Sequence, residues 1–262
     1  MINIKKIKPA TLNPYYYAAY TVWNRIKWDL NPKSWISRHK LKSLKNRHLG
    51  EKAVIVCNGP SLLKSNLSLL DGVTTFGLNK INLIFEKSHF RPSYIVSVNR
   101  YAIEQNIDFF NQTDIPLFID SYSSKIVKQR KNICFLHSSL PNKFAKDCSM
   151  SLYRGGTVTF VAIQLAFHMG FKKVALIGCD HNFASKGPAN KLVESGDKDE
   201  NHFDSRYFAG GVKWQLPNLP LSEYSYHMAK ETYELDGRTI FNATEGGYLE
   251  VFPKITLQEF LS

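Results

Sequence analysis

Thr157-Val-Thr-Phe-Val-Ala-Ile-Gln-Leu-Ala-Phe-His-Met-Gly-Phe-Lys-Lys-Val-Ala-Leu-Ile-Gly-Cys-Asp180 is the stretch on which the fold turns. Within it Val158, Val161, Ala162, Leu165 and Ala166 recur at helical spacing, and Gly170 supplies a favoured helix stop. The spacing predicts a helix over 157–169. The run 174–178 (Val-Ala-Leu-Ile-Gly) follows at once and reads as a buried strand. A helix feeding directly into an all-apolar strand is the unit from which parallel sheets are built.

Working outward, residues 52–57 (Lys-Ala-Val-Ile-Val-Cys) form a short β-branched run ending in a turn, and 73–77, 94–98, 116–119 and 133–136 read as further strands. A second helix is expected over 224–236, with 238–241 and 248–251 closing the domain. The expected fold is α/β and Rossmann-like: a largely parallel sheet with helices on both faces. Residues 185–220 are polar, rich in Gly, Asp, Asn and Pro, and without periodicity, which suggests a lid-like insertion. The chain thus divides into an N-terminal segment, 1–50, and an α/β domain, 51–262, carrying the lid region 185–220.

Charge separates the same two parts. Of the +12 net charge on 262 residues, residues 1–50 carry +10, with eleven Lys/Arg against the single acid Asp29. The segment also holds Tyr15, Tyr16, Tyr17, Tyr20, Trp23, Trp28 and Trp35, and Ala19, Trp23, Ile26 and Leu30 recur at helical spacing. Two readings stay open for this helical segment: contact with the inner-membrane surface, where rings and cations meet anionic headgroups, or packing against the domain or a partner. Nucleic acid is not expected as a partner, because the remainder of the chain carries only +2 and no recognition motif. No signal peptide and no apolar run of spanning length is visible, and the four cysteines are far apart, so a cytoplasmic protein without disulfides is expected.

In a parallel sheet, ligands bind beyond the carboxyl ends of the strands, and small polar residues collect there. After the first strand comes Asn58-Gly59-Pro60-Ser61, where Gly59 would let the backbone approach a ligand and Ser61 would cap a phosphate-facing helix. Asn79 and Asn99 follow the next strands; each is either a turn residue or a base and ribose contact. Arg154-Gly155-Gly156-Thr157 opens the 157–169 helix and reads as an anion site. Gly178-Cys179-Asp180 follows the last buried strand, where Asp180 could bond a ribose hydroxyl, ligate a metal or cap the next segment. In the lid, His202 suits general-base work, while Arg206 and Tyr207 could steady phosphate oxygens. Neither a Gly-x-Gly-x-x-Gly nor a Walker loop is present.

Taken in order, Val-Cys-Asn-Gly-Pro-Ser-Leu, Arg-Gly-Gly-Thr-Val, Phe-Lys-Lys-Val-Ala-Leu-Ile-Gly-Cys-Asp and the closing Asn-Ala-Thr-Glu-Gly-Gly-Tyr-Leu resemble two related groups. One is the 6-hydroxymethylpterin diphosphokinase-like family; the other is the small bacterial lipooligosaccharide sialyltransferases that use CMP-sialic acid. The resemblance covers roughly residues 50–262. It implies that Asn58, Asn79 and Asn99 surround a nucleotide, that Gly156 and Thr157 lie near the donor, that Gly178, Cys179 and Asp180 hold the nucleoside, and that His202 is the base. It also implies transfer without a metal. Where that family carries tyrosines soon after the aspartate, this chain has His181-Asn182-Phe183, and Tyr207, Arg206 or Arg154 would stand in.

The leading expectation is therefore a glycosyltransferase of bacterial surface polysaccharide or lipooligosaccharide. It would use a nucleotide-sugar donor, CMP-linked among the options, and a glycan or lipid-linked acceptor. It would act from the cytoplasm or the inner-membrane surface, as a monomer or a homo-oligomer. The alternatives are a Mg-ATP pyrophosphokinase, with Asp180 and acids of 197–200 as ligands, and a nucleotide-binding protein without catalysis.

Overall fold

A computed structural model describes residues 13–139, 143–185 and 187–262. Residues 1–12 of the basic segment and residue 186 of the lid therefore lie outside the described residues, as do 140–142. The strands are β1 (Lys52–Val56), β2 (Thr74–Leu78), β3 (Tyr94–Ser97), β4 (Leu117–Asp120), β5 (Ile133–Leu136), β6 (Ser138–Ser139), β7 (Leu152–Tyr153), β8 (Lys173–Ile177), β9 (Leu192–Glu194), β10 (Lys213–Gln215) and β11 (Thr239–Asn242). The helices are α1 (Pro14–Asp29), α2 (Pro32–Leu44), α3 (Arg100–Glu104), α4 (Ile107–Gln112), α5 (Val158–Met169), α6 (Leu219–Leu235) and α7 (Leu257–Leu261).

Seven strands form one sheet in the order β11-β8-β1-β2-β3-β4-β5, every neighbouring pair parallel. The fold is thus α/β and Rossmann-like. Its central strands are buried on both faces, which is why they read as unbroken apolar runs. Along β1, Ala53 and Ile55 face a core shared with α2, α5 and α6, while Val54 and Val56 face a second core built with α3, α4 and α7. From β1 the chain steps outward to β5, then returns to place β8 on the other side of β1. The strand order reverses between β1 and β8. That reversal opens a crevice at the strands' carboxyl ends.

α5 is buried from Thr159 to Met169, on every face rather than on one. Its polar residues Gln164 and His168 are accordingly bonded. The Gln164 side chain accepts from the amides of Ala145 and Tyr153, and His168 accepts from the Cys148 amide and donates to the Leu41 carbonyl. Gly170 ends the helix in the left-handed region, at φ +96°.

Three expectations change in detail. The basic segment forms two helices rather than one, capped by Asn13 and Asn31, each followed by proline. Residues 248–251 are not a strand, because Gly246 and Gly247, both at positive φ, turn the chain back so that Tyr248 N–H donates to the Asp180 carbonyl. The lid region is partly regular: β9 and β10 pair antiparallel within it and α6 begins before its end. Its aromatics Phe203, Tyr207, Phe208 and Trp214 belong to the second core.

Candidate functional site

A cavity of about 350 Å³ lies in the crevice between β1 and β8. Cys57, Asn58 and Gly59 enter it from β1, Gly178, Cys179 and Asp180 from β8, and Asn79 and Asn99 from β2 and β3. Arg154, Gly156 and Thr157 border it at the start of α5, and His202 and Tyr207 close it from the lid. Most residues singled out in the sequence therefore meet in one place. Pro60, Ser61, Gly155 and Arg206 are not in its wall.

The first loop departs from the expected phosphate cradle. Pro60–Lys64 is a short 3-10 turn whose N-cap, Gly59, makes no side-chain hydrogen bond, so Ser61 caps nothing. Instead the Ser61 amide and hydroxyl both donate to Asp180 Oδ2, at 3.2 and 2.9 Å. The carboxylate already fills the position an anion would take. Gly59 is needed for that contact: its amide donates to the Gly178 carbonyl at 2.9 Å, and a Cβ there would run into the Asp180 carboxylate. The close approach that glycine permits is between two loops of the protein. Asp180 is consequently the clamp joining the ends of β1 and β8.

The asparagines divide their groups between fold and cavity. Asn58 Nδ2 donates to the Leu78 carbonyl at 2.9 Å and to Tyr207 Oη at 3.2 Å. Its Oδ1 is buried without a donor among the described residues. A buried acceptor left open in a cavity wall calls for a ligand N–H or O–H. Asn79 sits at φ +45°, a conformation asparagine tolerates, and its Oδ1 accepts from the Ser97 hydroxyl. Asn99 Oδ1 caps α3 by accepting from the Tyr101 and Ala102 amides. For both, the turn and capping role uses the oxygen, and the Asn79 side chain also bonds the Tyr207 hydroxyl.

The N-terminus of α5 offers what the first loop lacks, a helix end open to the cavity. Gly155 and Gly156 lie at φ +55° and +77°, and Thr157 caps the helix. Gly155 packs too closely on Phe160 and Ser225 for a Cβ, so it shapes the turn from outside the wall. Gly156, Thr157, Val158 and Thr159 border the cavity, where the first amides of a twelve-residue helix favour negative charge. Arg154 stands half-exposed beside them, its Nη2 2.6 Å from Asp120 Oδ2. Beneath lies a buried group that the sequence reading missed. Tyr226 of α6 places its hydroxyl 3.9 Å from Cys179 Sγ, and Cys57 Sγ lies 3.7 Å from Thr159 Oγ1. Burial holds the Tyr226 phenol well above its ordinary value, so it stays a hydrogen-bond donor at any physiological pH.

The lid supplies the second polar constellation. His202 Nδ1 is 2.7 Å from Asp199 Oδ2, and the imidazole stacks on Tyr207, with ring centroids 3.8 Å apart and planes within 4°. Asp199 Oδ1 accepts from the Asn201 amide at 2.7 Å and Oδ2 also from the Phe208 amide at 3.0 Å. Burial works to raise the Asp199 carboxyl, but the bond and charge of His202 and the two amides outweigh it, and it is held below its ordinary value. With Nδ1–H donating to that carboxylate, Nε2 is the ring's free acceptor. Asn58 O accepts from the Phe203 amide at 2.9 Å, tying this loop to the end of β1.

Two lid residues do not act as expected. Tyr207 is buried, and its hydroxyl accepts from Asn58 Nδ2 rather than facing a phosphate; its ring is the platform for His202. Arg206 lies outside the cavity wall, its guanidinium bonded to Asp204 at 2.9 Å and to Glu86 at 2.9 Å. A buried lysine completes the loop's support. Lys80 Nζ donates to the Tyr207 carbonyl and to Gln105 Oε1, and burial lowers its ammonium to about 8.

The fold and this crevice define the class: a Rossmann-like α/β domain with a cavity of mixed polar and apolar lining at the point where strand order reverses. More narrowly, the chain belongs to the family described as 6-hydroxymethylpterin diphosphokinase MptE-like, whose pattern matches residues 29–186. The match takes in β1 to β8 and Asp180 and ends before Asp199 and His202. Among solved structures the chain is similar to the MAf glycosyltransferase from Magnetospirillum magneticum AMB-1, with 15% identity and a TM-score of 0.51 over 86% of this chain. The match spans 38% of that protein, and at this identity it establishes the shared fold. No curated protein matches the chain.

Proposed function

We propose that the chain is a glycosyltransferase of bacterial surface polysaccharide or lipooligosaccharide synthesis. It would move a sugar from a nucleotide-activated donor, with a CMP-linked acidic sugar the first candidate, to a hydroxyl of a glycan or lipid-linked acceptor. The observation that carries this reading is His202 in the cavity wall, held from behind by Asp199. His202 Nε2 would take the acceptor's proton as its oxygen attacks the anomeric carbon. The bond from that carbon to the nucleotide's phosphate oxygen would break, and the nucleotide would leave with its electron pair. Asp199 would orient the ring and stabilise the imidazolium. The departing phosphate would meet the α5 amides, Arg154 and the Tyr226 hydroxyl, so the step as drawn needs no metal.

The family's description favours a second reading, Mg-ATP-dependent pyrophosphoryl transfer. The donor set fits it poorly. Asp180 is the carboxylate in the cavity wall and spends one oxygen on Ser61, while Asp199 is bound to His202 and two amides. Among the described residues no three His, Cys, Asp or Glu side chains converge as a metal would require.

Calorimetric titration with CMP, UDP, GDP and ATP, each with and without Mg²⁺, separates the two. Binding of a nucleoside phosphate without Mg²⁺ supports glycosyl transfer; ATP binding that requires Mg²⁺ overturns it. His202→Ala should abolish transfer and leave nucleotide affinity within about threefold, since Nε2 acts on the acceptor.

A further inference from the structure

α1 is an amphipathic helix turned inside out. Trp28 is its buried side chain, and the face pointing away from the domain carries Tyr15, Val22, Trp23, Ile26 and, just past its end, Leu30. Successive residues turn by 100°, so these five fall within an arc of about 100°, a single stripe along the helix. Trp23 is 65% exposed and Leu30 75%. Trp35 of α2 extends the surface, anchored by its Nε1–H donating to the Asp29 carbonyl at 2.8 Å. Single exposed apolar residues are ordinary, whereas a continuous aromatic and aliphatic stripe marks a binding surface.

The charges around the stripe choose its occupant. Residues 1–50 carry eleven Lys/Arg and one acid, and that acid, Asp29, is neutralised by Arg25 at 2.7 Å and Arg38 at 3.3 Å. Exposed Lys27 and Lys42 lie on the same two helices. A second copy of the chain would bring a second cationic segment against the first. An anionic bilayer instead offers acyl chain to the stripe, interface to Trp23 and Trp35, and phosphate to the lysines. We infer that α1 lies in the surface of a membrane rich in anionic phospholipid, with Val22, Trp23, Ile26 and Leu30 inserted. The placement suits the cavity: Arg25 donates to the Met150 carbonyl and lies 3.1 Å from the Ser151 hydroxyl, on the loop that carries Arg154 to the cavity rim.

Flotation of the full chain with vesicles tests this without reference to the pocket. The chain should float with vesicles of 70% phosphatidylcholine and 30% phosphatidylglycerol, at least tenfold more than with phosphatidylcholine alone, and less in 0.5 M salt. The triple variant Val22→Ser, Trp23→Ser, Ile26→Ser should lose at least nine-tenths of the binding. Its thermal unfolding and nucleotide affinity should stay those of the parent, because these side chains lie outside both cores. Failure of the parent to float, or equal flotation of the variant, overturns the inference. So does a parent dimer in sedimentation that the triple variant dissociates, which would make a second copy the occupant. Loss of nucleotide binding by the parent bears on the proposed transfer and leaves this result standing.

Discussion

His202 is held from two sides: Asp199 Oδ2 fixes its Nδ1 at 2.7 Å while the Tyr207 ring lies flat beneath it at 3.8 Å. Together these leave the imidazole one orientation and one free nitrogen. If transfer uses that nitrogen, Asp199→Asn should be nearly as damaging as loss of the histidine. The amide no longer enforces the tautomer with Nδ1–H, nor stabilises the imidazolium. Steady-state kinetics should show kcat down by about 10²–10⁴-fold. The donor's KM should stay within a few-fold, and the acid limb of the pH profile should move. A fall confined to KM would show that Asp199 only shapes the binding loop.

Arg206→Ala should leave turnover within about twofold. Its guanidinium reaches Asp204 and Glu86, outside the cavity wall. Asp204 keeps Lys87 as a partner at 3.1 Å. The guanidinium is half-exposed but Asp204 is buried, so removing one of its two cationic partners should cost about 1–3 kcal/mol, which chemical denaturation would resolve. A hundredfold loss of activity would mean that Arg206 swings into the site during transfer.

These contrasts show where sequence reading succeeds. β1, β5 and β8 were legible because strands buried on both faces admit hardly any polar residue, and Gly170 marks the end of α5 whatever surrounds it. The order β8-β1-β2 was not legible, since pairing between residues more than a hundred positions apart leaves no local trace. At the site, Asn58, Arg154, Thr157, Asp180 and His202 were visible as polar residues at element ends. What each one bonds was not. Ser61 reads equally well as a helix cap or as a donor to Asp180, and only the juxtaposition of β1 with β8 decides. Asp199 could be seen three residues before His202, yet that spacing also suits metal ligands. Tyr226 looks like any core aromatic on a helix until α6 is set beside α5.

Gly59→Ala tests the clamp between the two strand ends. A methyl group at residue 59 would collide with the Asp180 carboxylate and crowd the Gly178 carbonyl, both of which belong to a packed crevice. Overpacking of this kind costs about 1–3 kcal/mol. The melting temperature should fall accordingly, and nucleotide affinity should fall with it because Asp180 is displaced. Asp180→Ala in the same chain removes the clash and should recover part of the stability but none of the affinity. Full recovery of affinity would mean that Asp180 serves the fold alone.

His137 makes the docking of α1 sensitive to acid. Its ring stacks against Trp28, with centroids 6.5 Å apart, and Nδ1 lies 2.7 Å from the Ser151 hydroxyl, which Arg25 also approaches. Burial, aided by the Arg25 charge, lowers its value from 6.5 to about 4. Between those two values the unfolded chain binds a proton that the folded chain refuses, so stability rises with pH across the window and is lost as pH falls from 6.5 towards 4. Above 6.5 the imidazole is neutral in both states and contributes no slope. His168 and His181, both lowered chiefly by burial, add to the same slope, so the effect of His137 has to be read as a difference. Thermal unfolding of the parent and of His137→Gln at intervals from pH 7.5 to 4.5 isolates it. The parent's curve should fall more steeply, and protection of the α1 amides from hydrogen exchange should drop first. Parallel curves would show that His137 is protonated in place and that the Trp28 contact tolerates the charge.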